Sequence, residues 1–260
     1  MSSGIPLRKG AEADGLRLAG STAAEVLAKV CALVRPGIST LEVDAAAAKC
    51  MDELGCRSAF LGYRGFPGHI CISLNHEIVH GIGRADKIIS NGDIVKIDVG
   101  VIKNGWVGDN ATTVPVGAVS PEVHQLLRVT EQSLHNAIDH ARAGRPLRDL
   151  CGSVEKLAQR YGYSVVRNFV GHGVGKKLHE KPEVPNFSHP KIKTRLEAGM
   201  VLAIEPMVNL GTGEVEILRS DNWTAVTRDG RPSAHFEHMV LVTEGEPEIL
   251  TPRRRLTSPL

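Results

Sequence analysis

The chain predicts an α+β fold in which antiparallel sheet is covered by helices, with the whole plan occurring twice. Long helix pairs alternate with runs of strand-like sequence, the pattern expected when helices segregate to one side of a sheet. Asn91-Gly-Asp-Ile-Val-Lys-Ile-Asp98 reads like Ala198-Gly-Met-Val-Leu-Ala-Ile-Glu205: a glycine, an apolar run, then a carboxylate. The same offset that separates Asp98 from Glu205 also relates Arg35, Gly37, Lys49 and Gly55 to Arg142, Gly144, Lys156 and Gly162. A shared offset for helix pair and carboxylate strand marks an internal repeat.

Residues 8–34 carry Leu16, Ala19, Ala23, Val26, Leu27, Val30, Leu33 and Val34 at the spacing of one helix face. Arg35-Pro-Gly37 stops that helix, and Ser39-Thr-Leu-Glu42 is a capping box opening a second one that runs to Gly55. Ser120-Pro121 begins a third helix through Arg142, and a fourth runs from about Leu147 to Gly162. Strand-like pieces lie at Ile70–Leu74, Ile94–Val99, Gly105–Val116, Val201–Val208, Glu214–Leu218 and Met239–Thr243. The expectation is one domain over residues 1–252, with copies near 10–110 and 118–245. Residues 253–260 then form a frayed basic tail. The second copy carries an extra segment with His179, Glu180 and a Pro182–Pro190 loop.

At 260 residues, 42% hydrophobic and 23% charged, the composition is that of a soluble globular protein. A formal charge of +2 gives no basis for nucleic-acid binding. Five cysteines without a C-x-x-C pair argue against a disulfide framework or structural zinc and suit a reducing compartment. Charged residues throughout the first thirty positions, and no long apolar run, predict a cytoplasmic protein without signal peptide or membrane span.

Asp98 and Asp109 flank a Lys103-Asn-Gly105 turn, so a hairpin would bring both carboxylates to one region. Glu205 in Ala203-Ile-Glu-Pro and Glu237 in Phe236-Glu-His-Met are likewise embedded in apolar sequence. One such residue can be satisfied by backbone N–H groups. Four buried like charges repel strongly, and a cation is the economical explanation. His172 in Gly171-His-Gly173 adds a nitrogen ligand, with His80 in His80-Gly-Ile-Gly83 an equal candidate on this ground. Four carboxylates and one imidazole suit a pair of divalent ions such as Mn, Fe, Co or Zn. His124, His135 and His140 fall on a predicted helix and His69, His76 and His189 in loops, all without ligand context.

The motifs His80-Gly-Ile-Gly, Lys96-Ile-Asp98-Val-Gly, Asp109-Asn-Ala-Thr-Thr, Gly171-His172-Gly-Val-Gly, Leu178-His179-Glu, Ile204-Glu205-Pro and Phe236-Glu237-His together resemble the type I methionine aminopeptidases, over residues 10 to 250. The resemblance implies the pita-bread fold, two pseudo-symmetric halves around a dimetal site. It implies metal ligands Asp98, Asp109, His172, Glu205 and Glu237, with Asp109 and Glu237 bridging. His80 is then a substrate contact rather than a ligand, and a protonated His179 stands beside the scissile carbonyl. Glu205 becomes the proton shuttle. The methionine pocket is implied at Phe60, Tyr63, Phe66, Cys71, Leu178 and Trp223.

Where such enzymes often have Cys, Tyr and Phe, this chain has Phe60, Phe66 and Leu178, and His235 replaces a usual glutamine. The resemblance further implies the short bacterial-type form, acting as a monomer on the N-termini of nascent polypeptides with a small second residue, and a transient ribosome contact. Alternatives are a prolidase or aminopeptidase P of the same fold, and a non-catalytic binding protein that kept it.

Overall fold

The computed structural model describes residues 4–253. Four long helices follow the expected plan. Helix α1 (Ala11–Cys31) buries Leu16, Ala19, Ala23, Val26, Leu27 and Val30 on one face. Helix α2 (Thr40–Glu53) begins at the capping box: Glu42 N donates to Ser39 Oγ and Ser39 N donates to the Glu42 carboxylate. Helix α3 (Pro121–Asp139) has Ser120 as N-cap and Pro121 in its first turn, where a missing N–H costs nothing. Helix α4 is Leu147–Arg160.

Two hydrophobic cores lie under the two helix pairs. Val26, Val30, Val43 and Met51 of α1 and α2 pack with Ile72, Val95, Ile97 and Val99. Leu126, Leu134, Leu150 and Val154 of α3 and α4 pack with Leu202, Ile204, Val208 and Val240. The first half is built on a long antiparallel hairpin, Ile94–Lys103 with Trp106–Pro115, turning at Asn104-Gly105. Arg57–Ser58 and Cys71–Leu74 extend its sheet on the outer edge of the first strand. Gly108 lets α1 lie close on the hairpin, since a Cβ there would stand 2.1 Å from the Ala19 carbonyl oxygen. The second half carries a five-stranded antiparallel sheet in the order Glu248–Ile249, His238–Leu241, Val201–Ile204, Gly171–Gly173, Glu180–Val184.

Three expectations need correction. The predicted strand Val201–Val208 is two strands, Val201–Ile204 and Met207–Asn209, which join different sheets. Pro206 lacks the N–H needed to continue a ladder, so the chain switches sheets at Glu205-Pro206. The Pro182–Pro190 loop begins as a strand, because Glu180–Val184 pairs with Gly171–Gly173. Arg253, assigned to the frayed tail, is held by its guanidinium donating to the carbonyls of Ala111 and Glu237 and pairing with Glu131 at 3.2 Å. The remainder of that tail, residues 254–260, lies outside the described residues.

Candidate active site

Side chains alternate faces along a strand, so register decides which residues meet. In the long hairpin Asp98 opposes Ala111 and Gly100 opposes Asp109. Asp98 and Asp109 are therefore diagonal neighbours on one face, as the turn spacing suggested. From the other half, His172 opposes Ala203 in the five-stranded sheet, and Glu205 ends the Val201–Ile204 strand. Glu237 is carried to the hairpin by its own N–H, which donates to the Ala111 carbonyl at 2.8 Å. All five expected ligands line one cavity of about 300 Å³ between the halves. One ligand atom each from Asp109, His172 and Glu237 lies within 4.8 Å of the other two. His172 Nε2 stands 3.7 Å from both Asp109 Oδ2 and Glu205 Oε1.

The electrostatics of this cluster call for a cation. None of the four carboxylates forms an ion pair with lysine or arginine among the described residues. Burial raises the pKa of all four. Asp109 is pushed up to about 7, and Asp98, with Asp109 beside it, well above the usual range. Glu205 and Glu237 rise strongly for the same reasons, burial first and the neighbouring carboxylates second. Asp98 Oδ1 is buried with no hydrogen-bond partner, an expensive arrangement without a cation.

His172 supplies the complementary nitrogen. Its Nδ1 lies 2.9 Å from the Gly173 carbonyl, which can only accept, so the proton sits there and Nε2 presents a lone pair to the cluster. Burial, with His179 nearby, lowers its pKa to about 3 and keeps it neutral. An oxygen-rich set with one imidazole fits divalent ions of the Mn, Fe, Co or Zn kind.

His80 and His179 line the same cavity without joining the three-ligand cluster. His80 sits in the left-handed region at φ 61, with its ring edge-on to Phe169 at 5.0 Å. Burial lowers its pKa to about 4. The His179 ring is 4.2 Å from His172, and its Nδ1 is 2.7 Å from the Tyr63 hydroxyl. Partial desolvation and then the charge of Arg64 lower its pKa.

Phe60, Tyr63, Phe66, Cys71, Leu178 and Trp223 all border the cavity. Phe66 and Trp223 meet edge-to-face at 5.2 Å. Gly100 makes room for Phe60, because a Cβ at that position would lie 2.3 Å from its ring. Arg64, Val79, Asn168, Phe169 and Val170 also line the cavity and were missed. The scarcity of aromatics and the position of Phe169 just before Gly171-His172 were a usable signal for one of them. His235 reaches 3.4 Å from Glu205 Oε2, and burial followed by His80 lowers its pKa to about 3. His124 and His135 are exposed and all five cysteines are buried and free.

The model of "Metallopeptidase family M24" matches residues 14–244. The chain is 44% identical over 247 residues to methionine aminopeptidase of Clostridium perfringens, covering 95% of this chain and 98% of that one. It is 46% identical over 218 residues to methionine aminopeptidase 1 of Bacillus subtilis, covering 84% and 87%. Its fold is similar to the crystal structure of methionine aminopeptidase from Thermotoga maritima, with TM-score 0.93, 38% identity and coverage of 96% and 100%. The prolidase from Pyrococcus furiosus shares the fold alone: TM-score 0.77 at 23% identity, spanning 96% of this chain and 66% of that one.

Proposed function

The chain belongs to metallopeptidase family M24, and from that premise we propose that its cavity removes the N-terminal methionine from polypeptides. The observation that carries this reading is the convergence of Asp98, Asp109, His172, Glu205 and Glu237 in one cavity with Phe60, Tyr63, Phe66 and Trp223. The relatives' printed names and their near-complete coverage support the same activity. The prolidase reading has only the shared fold behind it. A non-catalytic role gives no reason for these five side chains, three of them buried, to converge.

Asp98, Asp109, His172, Glu205 and Glu237 would hold two divalent ions. Such ions polarise the scissile carbonyl and bring the pKa of the attacking water toward neutrality. The chain's own groups do the rest. Glu205, whose buried carboxyl readily holds a proton, takes one from the water and hands it to the leaving amine. His179, its Nδ1 held 2.7 Å from the Tyr63 hydroxyl, presents an Nε2–H donor to the developing oxyanion. Neutral His80 contacts the substrate amide.

The unbranched thioether of methionine packs among Phe60, Phe66, Cys71, Leu178 and Trp223. A free amine reaches the carboxylate cluster only from the first residue of a chain. A bulky second residue would crowd His80 and His179, so small second residues are preferred. Nascent chains are the natural substrates. No helix among the described residues is long and apolar enough to cross a membrane; action as a cytoplasmic monomer in transient contact with the ribosome completes the proposal.

Hydrolysis of Met-Ala-Ser, Met-Leu-Ser and Ala-Pro peptides by manganese-loaded protein tests the reading. Met-Ala-Ser should be cleaved fastest. Preferential cleavage before proline would replace it, and equal turnover of Met-Ala and Met-Leu would remove the second-residue preference.

A further inference from the structure

Lys96 is among the largest side chains that are completely buried, at 1% exposure. It stands two residues before Asp98 in the same strand, and therefore on the same face. Its Nζ donates to the backbone carbonyls of Asn75 at 2.7 Å and Ser233 at 3.0 Å. No carboxylate pairs with it among the described residues; the acidic charges it feels are Glu77 and Asp93, and Lys87 opposes them. An ammonium sequestered in this way is costly beside an apolar side chain of similar size. Fold stability gives no reason to keep it.

What the ammonium joins supplies a reason. Asn75 belongs to the first half, where it follows the strand Cys71–Leu74 at φ 50. Ser233 opens the strand Ser233–His235 of the second half. The Asn75 carbonyl accepts from Lys96 Nζ and also from the Ser233 N–H at 3.0 Å. Thr113, directly opposite Lys96 in the hairpin, donates to the His235 carbonyl at 2.7 Å and accepts from its N–H at 3.0 Å. Next along comes the Glu237 N–H on the Ala111 carbonyl. Residues 233, 235 and 237 are thus fastened in turn to Lys96, Thr113 and Ala111, three rungs across the seam between the halves. Of the three, only the rung at 233 is made by a lysine; the rung at 237 is a backbone bond to which Arg253 adds its guanidinium, donating to the Ala111 and Glu237 carbonyls.

We propose that Lys96 is a positioning residue for the reaction, a tethered amino group that sets the register of Ser233–Glu237 against Asp98 and Asp109. This rests on the metal-site reading above. Through the strand it holds Glu237 at the distance needed to share ions with Asp109, and keeps His235 against Glu205. It touches neither substrate nor ion.

The test uses the full chain with Lys96→Met, which keeps the volume and removes the donors, and Lys96→Ala, which leaves a space. Manganese affinity by titration calorimetry and the separate kcat and KM for Met-Ala-Ser are the readouts. Both variants should lose roughly 10- to 100-fold in manganese affinity and kcat, the effect typical of groups that orient metal ligands. KM should change little. Methylammonium should restore part of the kcat of Lys96→Ala and none of that of Lys96→Met, a recovery that a simple packing defect would not show. Wild-type affinity and kcat in Lys96→Met would overturn the proposal. If both variants fail to fold, Thr113→Val decides, because weakened manganese binding is expected there too and an unchanged affinity rejects the rungs. Asp98→Ala run in parallel separates the two readings: retained activity in it refutes the metal site itself, whereas its inactivity beside a normal Lys96→Met refutes only the role of Lys96.

Discussion

The Tyr63 hydroxyl lies 2.7 Å from Nδ1 of His179, so the ring is held with Nδ1 toward the phenol. The contact is partly open to solvent, so its energetic weight is that of an ordinary neutral hydrogen bond, about 0.5–1.5 kcal/mol. Tyr63→Phe should lower kcat by about two- to tenfold with little change in manganese content. An unaltered kcat would mean that the phenol does not orient the ring.

Removing a ligand should be far more severe. Asp98→Ala and His172→Ala are expected to lose at least about a hundredfold in activity while far-ultraviolet dichroism shows the fold intact, since neither side chain belongs to a hydrophobic core. Metal analysis after reconstitution should find fewer ions per chain. Normal turnover in the reconstituted variants would disprove the ligand assignment.

Burial gives the carboxylate cluster a pH signature. Asp109 rises from 3.8 to about 7 on folding, so in metal-stripped protein its protonated form favours the folded state. That contribution is complete below about pH 4 and is lost as pH rises through about 7. Manganese reverses the trend, because it binds the deprotonated ligands and its apparent affinity rises with pH. Calorimetric titration at pH 6.5 in buffers of different ionisation enthalpy should reveal protons released on loading. A buffer-independent heat would refute the protonated cluster.

Gly100 packs against the ring of Phe60, which lines the cavity, with no space for a Cβ. Gly100→Ala should push the Phe60 ring into the cavity and raise KM for Met-Ala-Ser several-fold at normal manganese content. Unchanged KM would show that the ring can retreat elsewhere.

Arg253 ties the end of the described chain to the backbone of Glu237 and Ala111. Arg253→Ala removes the guanidinium's bonds to the Ala111 and Glu237 carbonyls and its ion pair with Glu131, and should destabilise the protein by about 2–3 kcal/mol. Thermal unfolding measures this, and an unchanged midpoint would return Arg253 to the frayed tail.

The parts determined by the sequence alone are those whose causes are local or energetically unavoidable. The Ser39–Glu42 capping box and Ser120-Pro121 start their helices through neighbours a turn away, and the Lys103-Asn-Gly105 turn closes the hairpin it announces. Carboxylates inside apolar runs at Asp98, Asp109, Glu205 and Glu237 signalled a cation because burying them otherwise is so costly. His80 and His172 could not be separated on that ground, since their flanking glycines are alike. The tertiary structure distinguishes their surroundings, pairing the His172 strand with the strand that precedes Glu205 and setting the His80 ring edge-on to Phe169. The sheet switch at Glu205-Pro206, the Tyr63–His179 contact, the anchored Arg253 and the rungs from Lys96 and Thr113 also depend on contacts between residues distant in sequence. A local pattern names which groups must be satisfied, and the packing of the two halves chooses their partners.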